Sequence, residues 1–230
     1  MRARGVVWLG LIALLAFAQV HTAHAQDANR AAYLISYIDV SAPAVTRAAD
    51  ILRRMGRQAS GASRYDVLQR LAPQNQFAIV EVWKNQEARI EHLAQPQVRV
   101  LRAELEPLLL APVDERLYAI VVASEHSLAP ADAIYAVAHI DILGPNPAGR
   151  DAFLPTLKAF SETSRRAAGN LGYGLVEQSS RTNHFEVVEG WANEKSAIDH
   201  EISALNREFR TKLAPVSSSP YDRRLFKALR

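Results

Sequence analysis

"NQFAIVEVW" runs from Asn75 to Trp83, and "NHFEVVEGW" runs from Asn183 to Trp191. Each alternates apolar and β-prone residues with the period of a strand, and each keeps a glutamate two residues before a tryptophan. At a shift of 108, Tyr65–Tyr118 and Tyr173–Phe226 are identical at 17 of 54 positions spread along the whole segment, so the likeness is not confined to one strand. Upstream, "YLISYIDV" (Tyr33–Val40) matches "YAVAHIDI" (Tyr135–Ile142) at a shift of 102, and the difference falls near the turn-rich "GPNPAG" (Gly144–Gly149). Self-similarity at this length is an internal duplication. The units are 31–124 and 133–230, joined by a linker over 125–132 that contains Pro130.

Each unit has the same order of elements. In the first, Tyr33–Val40 is a strand, and Ala44–Ala59 places Val45, Ala48, Ala49, Leu52 and Met55 on one helical stripe. Arg64–Leu71 and Phe77–Trp83 are strands. Asn85 caps a helix carrying Ala88 and His92, a second helical stretch covers Val98–Leu110 beyond Pro96, and Arg116–Ala123 is the last strand. The fold class is α+β: two tandem ferredoxin-like β-α-β-β-α-β domains, which together form a pseudo-dimeric α/β barrel.

In such a unit helices cover one sheet face, and strand alternation separates the two. Leu34, Ser36, Ile38 and Val40 suit packing under helices. The opposite face of that strand carries Tyr33, Tyr37 and Asp39, matched by Tyr135, His139 and Asp141. With it we group Phe77, Glu81 and Trp83, matched by Phe185, Glu189 and Trp191, and also Tyr65 and Tyr173. An aromatic face with a few ionisable groups has the composition of a ligand pocket, which places a cavity between the two sheets. A plainer reading stands beside this one. Glu81 and Glu189 serve equally as structural ion-pair partners, Trp83 and Trp191 as packing, and His92 and His200 as hydrogen-bonded helix residues.

The first 25 residues read as a secretory leader cleaved after Ala25: Arg2 and Arg4 precede an apolar run that ends in "AHA". The expected location is therefore the periplasm or the exterior, with no membrane span left after cleavage. The formal net charge of +3 falls close to zero once Arg2 and Arg4 are removed, and no concentrated basic face argues for nucleic acid. With no cysteine, disulfides, thiolate chemistry and Cys-ligated metal are excluded. The histidines are too scattered for a metal signature, so no metal is expected. "GNLGYG" (Gly169–Gly174) precedes a strand and not a helix, which fails the dinucleotide context.

"RQASGASRYDVLQRLAPQNQFAIVEVWKNQEARIEHLAQP" (Arg57–Pro96) and its repeat "RRAAGNLGYGLVEQSSRTNHFEVVEGWANEKSAIDHE" (165–201) resemble the antibiotic biosynthesis monooxygenase family. The likeness lies in Arg-x-x-x-Gly, Tyr-x-x-x-Gln, Asn-x-Phe, Glu-x-Trp and Ala-x-x-x-His. Glu177 and Ser196 depart from it, and Gln97 and Leu205 stand near the place of a further histidine found in many relatives. The resemblance implies a dimeric α/β barrel, usually built by two chains. It also implies oxygenases for quinols or similar polycyclic phenols that use O₂ as co-substrate without metal or flavin. On that reading Trp83 and Trp191 hold a substrate ring, and Tyr37, Phe77, His139, Phe185, Tyr65 and Tyr173 line the site. His92 and His200, or Glu81 and Glu189 with pKa values raised by desolvation, take a proton. The alternatives are a non-catalytic binding protein for a hydrophobic aromatic ligand and a haem-handling relative. The partner is a small aromatic molecule, and the chain is its own pseudo-dimer with room for further oligomerisation.

Overall fold

The computed structural model describes residues 31–123, 132–143 and 147–230. The leader expected over 1–25, most of the linker and the tip of the turn-rich insertion lie outside the described residues. In the first half the elements are β1 (Ala32–Asp39), α1 (Val45–Gln58), β2 (Ala62–Arg70), β3 (Gln76–Trp83), α2 (Gln86–Ala94), α3 (Pro96–Leu105) and β4 (Asp114–Val122). In the second they are β5 (Ile134–Asp141), α4 (Pro147–Ser164), β6 (Asn170–Gln178), β7 (His184–Trp191), α5 (Glu194–Glu201), α6 (Ala204–Leu213) and β8 (Asp222–Ala228). Among the described residues no helix is long and apolar enough to cross a membrane.

The strands close into one antiparallel barrel in the order β1-β3-β2-β8-β5-β7-β6-β4. Four strands come from each half, and the halves join where β2 meets β8 and β4 meets β6. Closure removes the sheet edges that each half would otherwise expose. The two halves build most corresponding parts with the same residues and a few with different ones. Asn85 and Asn193 cap α2 and α5 by accepting the amide hydrogens of Ala88 and Ser196. The break before α3 is made by Pro96 at the first helical turn, whereas α6 starts from Ser203, whose hydroxyl accepts from the Asn206 amide at 3.1 Å. Asn75 and Asn183 tie their hairpins to the Val40 and Ile142 carbonyls at 3.0 and 2.9 Å.

The strand register corrects our grouping of faces. Directly opposed residues in an antiparallel pair share a face. Leu34 opposes Glu81, Ser36 opposes Ile79 and Ile38 opposes Phe77, while Tyr33, Ile35 and Tyr37 oppose Val82, Val80 and Ala78. Phe77, Glu81 and Trp83 therefore lie beneath the helices, and so does Tyr65, which opposes Glu81. The second half repeats this, with Ala136 opposing Glu189 and Ile140 opposing Phe185. The barrel interior is not an aromatic hollow. Tyr33, Leu68, Tyr118, Tyr135, Val137 and Phe226 pack there into one buried cluster drawn from both halves. Two further clusters fill the helix–sheet layers, one per half.

Candidate functional site

The glutamate of each repeated strand is held as a buried acceptor. Trp83 Nε1 donates to Glu81 Oε2 at 2.6 Å, and Arg89 from α2 reaches both Glu81 oxygens at 3.2 and 3.3 Å. Arg89 also donates to Glu115 Oε2 at 2.8 Å, and Arg102 reaches Glu115 Oε1 at 3.1 Å. In the second half Trp191 donates to Glu189 at 2.6 Å, but the arginine is Arg223 of β8, which donates to Glu189 Oε2 at 2.7 Å and to Glu201 at 3.0 Å. At a shift of 108 Arg89 becomes Ala197 while Glu115 becomes Arg223. The cation has moved from helix to strand and the outer acid from strand to helix. A buried charge without a partner is costly, so the two exchanges keep each other tolerable.

His92 and His200 lie against the rings of these tryptophans. Each imidazole is 4.7 Å from its indole, centroid to centroid, at 35°. Burial holds both imidazoles below their ordinary pKa. His200 Nε2 also meets Ser164 Oγ at 3.0 Å; at a shift of 108 the residue corresponding to Ser164 is Gly56, which has no hydroxyl to offer.

The halves differ most in the space between helices and sheet. In the first half a cleft of about 970 Å³ opens there, at the upper end of the usual size for a small-molecule site. Its floor carries Ser36, Ile79, Glu81 and Tyr65, α1 and α3 contribute Met55 and Leu105, and Arg99, Arg102 and Glu115 form the lip. In the second half Phe160 stacks on Phe209 at 3.9 Å and 7°, with Phe153 6.3 Å from Phe209 and the Tyr173 edge 6.1 Å from Phe160. At the same shift Val45, Leu52 and Leu101 become Phe153, Phe160 and Phe209. Three larger side chains thicken that layer and leave a hollow of about 360 Å³ at the corresponding place, lined by Arg210, Leu213, Ser217 and Tyr221; Tyr173 is fully buried where Tyr65 is only half-buried.

Of the candidate residues, Tyr65 and Glu81 reach the open cleft. Phe77, Trp83 and His92 are buried behind its floor. Phe185, Tyr173, Glu189, Trp191 and His200 are enclosed in the second half. Tyr37 and His139 lie elsewhere, at one mouth of the barrel, in a hollow of about 310 Å³. There Arg116 sits over the Tyr37 ring at 5.0 Å. Sequence reasoning missed Ser36, Met55 and Glu115. Arg99 and Arg102 also border the cleft. The charge exchange between Glu115 and Arg223 was the available signal.

The family profile described as antibiotic biosynthesis monooxygenase matches residues 33–104 and, a second time, residues 135–212. The chain belongs to the antibiotic biosynthesis monooxygenase family. Both copies of the family domain sit in one barrel, and each match covers the Glu-x-Trp strand and its histidine helix. Among solved structures the chain is similar to a candidate monooxygenase from Fusobacterium nucleatum, with a TM-score of 0.77 at 13% identity over 87% of this chain and 93% of that one. A candidate monooxygenase from Lactobacillus acidophilus gives 0.71 at 12% identity, covering 87% and 94%. A protein described as anthrone oxidase-like gives 0.62 at 9% identity, covering 87% and 92%. At these identities the likeness shows the shared fold. Comparison with curated proteins finds no match.

Proposed function

We propose that this family member is a monooxygenase whose working site is the cleft of its first half, taking a planar phenol of the quinol or anthrone type. The observation that carries the reading is the asymmetry: a cleft of about 970 Å³ that reaches Tyr65 and Glu81 in one half, against a hollow of only about 360 Å³ at the corresponding place in the other, where three phenylalanines thicken the layer. Family membership supports a role of the monooxygenase type. The chemistry needs no outside reductant. A phenol with a free para carbon plus O₂ gives a quinone and water, and a quinol with another free ring carbon plus O₂ gives a hydroxyquinone and water, the ring supplying the electrons once its hydroxyl proton is gone. The protein must hold the ring, favour its anion and exclude water.

In this cleft Tyr65 and Ile79 offer a flat apolar contact, and Arg102 at the lip favours a phenolate. Glu115 is the candidate proton acceptor. Burial pushes its carboxyl up, but the hydrogen bonds and charge of Arg89 and Arg102 outweigh this and hold it below the ordinary value, hence ionised near neutrality. Trp83 and His92 support the floor from behind, and the corresponding set of the second half is structural.

A binding-only reading is favoured by one observation: Glu81 and Glu115 are both already engaged by arginines. The test is O₂ uptake with a panel of quinols and anthrones in chelator-treated protein, run beside Trp fluorescence titration. Uptake with at least one of them supports the oxygenase. Quenching without uptake selects the binding protein. Neither response with any compound overturns the site.

A further inference from the structure

We propose that His139, Asp141 and His184 form a binding site for a divalent first-row transition-metal ion at the mouth of the barrel. This site lies apart from the cleft. His139 and Asp141 are on β5 and His184 begins β7; Asp141 directly opposes His184, and His139 opposes Glu186. One donor atom from each of His139, Asp141 and His184 lies within 4.8 Å of the others. Spacing alone left these histidines scattered, and strand pairing brings them together.

The arrangement around these atoms is that of a supported ligand set. His139 Nδ1 is 2.8 Å from Glu186 Oε1, and His139 Nε2 is 2.6 Å from Asp141 Oδ1. A neutral imidazole carries one ring proton. With that proton on Nδ1 for Glu186, Nε2 turns a lone pair toward a carboxylate oxygen, a contact that calls for a positive charge, supplied either by a second ring proton or by a bound metal ion. His184 Nδ1 meets the same Asp141 oxygen. Asp141 is fixed through its other oxygen, which accepts from Ser219 Oγ at 2.8 Å, while the buried Oδ1 accepts no hydrogen bond despite its close nitrogen neighbours. A carboxylate behind a histidine, setting its tautomer, is the usual outer support of a metal-bound imidazole. Glu186 fits that place: its side chain is only 1% exposed, and its Oε2 has no hydrogen-bond partner.

The repeat supplies an independent argument. The corresponding residues of the first half are Tyr37, Asp39, Gln76 and Ala78. The aspartate is common, and the three remaining positions have a histidine, a histidine and a glutamate only in the second half. Barrel packing does not require those side chains, since the first half closes without them. The ion can reach the site: the side chains of His139, His184 and Asp141 are 25%, 18% and 13% exposed. The hollow beside them adds Asp39, Asp114 and Asp222 against Arg116 and Arg224, a net negative wall. Two imidazoles and one carboxylate select zinc, cobalt, nickel, copper or iron over calcium and magnesium, which prefer all-oxygen shells. Open positions remain for water.

The test uses the untagged full chain, stripped with EDTA and titrated with Zn²⁺ by calorimetry and with Co²⁺ by its visible absorption. One equivalent of metal should bind per chain. His139→Tyr and His184→Gln, which install the residues of the other half, should each weaken binding about 100-fold or more, and Glu186→Gln roughly 10–100-fold. Thermal unfolding of each variant monitors the fold. His184, at a strand start and partly exposed, is the position whose variant carries the test if His139→Tyr fails to fold. Absence of metal uptake by the unsubstituted protein, or an affinity unchanged in the folded variants, overturns the proposal.

Discussion

At the residue scale, the paired glutamates are explained by what they hold. Glu189 satisfies the Trp191 indole and Arg223, whose side chain is only 1% exposed. Truncating one partner of a buried pair strands the other charge. Glu189→Ala should therefore lower stability by about 3–5 kcal/mol in urea unfolding, and Arg223→Met in the same chain should recover part of the loss. A second prediction concerns pH. His92 and His200 are held below their ordinary pKa by burial, partly opposed by Glu81 for His92 and by Glu189 and Glu201 for His200, with Arg89 and Arg223 reinforcing it. Above the unfolded value of about 6.5 both states are neutral and the stability is fully present. As pH falls below that, the unfolded chain takes up protons that the folded chain refuses, and stability is lost until the depressed folded value is passed. The urea midpoint should drop between pH 7 and 5, and the slope should flatten in a His92→Gln, His200→Gln variant. An unchanged slope would rule out this assignment. Gly169 is constrained in another way: its φ is +78°, and an added Cβ would lie 2.7 Å from the Ser196 Cβ. Gly169→Ala should cost about 1–3 kcal/mol.

At the element scale, the two helix layers show how one plan gives a large cleft in one half and a smaller hollow in the other. The stripe of α1 that carries Val45 and Leu52 is the stripe of α4 that carries Phe153 and Phe160, and Leu101 of α3 becomes Phe209 of α6. Removing Phe209, which is 2% exposed and stacked on Phe160, should cost about 3–5 kcal/mol as Phe209→Ala, because a cavity opens in a packed layer. Thermal or urea unfolding measures this, and a loss below 1 kcal/mol would mean the layer is loosely packed. The elements themselves were legible. Alternation located the strands, the 3.6-residue stripe located α1, and Asn85 and Pro96 marked the starts of α2 and α3. The register was not. Alternation along Tyr33–Val40 and along Phe77–Trp83 divides each strand into two faces, but only pairing decides which faces coincide, and a slip of one residue exchanges them all. That is why Glu81 and Trp83 were placed inside the barrel when they lie outside it. The cleft was illegible for a related reason: several separate elements line it, with residues such as Met55, Leu105 and Val113 that each read simply as apolar.

At the scale of the whole molecule, the duplication closes a barrel that each half leaves open. Tyr33, Leu68 and Tyr118 from one half pack with Tyr135, Val137 and Phe226 from the other. A chain of residues 31–123 alone would expose the first set. It should be unfolded or self-paired in sedimentation experiments, and a folded monomer would contradict the shared core. Holding both units in one chain also frees them to diverge, so one half keeps a cleft of about 970 Å³ while the other keeps a hollow of about 360 Å³. The central claim is that the functional surface is the first-half cleft between helices and sheet. It is tested most directly by O₂ uptake and ligand-induced Trp quenching in two matched variants, Ala103→Trp and Thr211→Trp. Both positions are exposed, at corresponding places on α3 and α6, and only Ala103 borders the cleft. Ala103→Trp should abolish the response and Thr211→Trp should leave it intact; equal effects in the two, or a response surviving in both, would contradict the account.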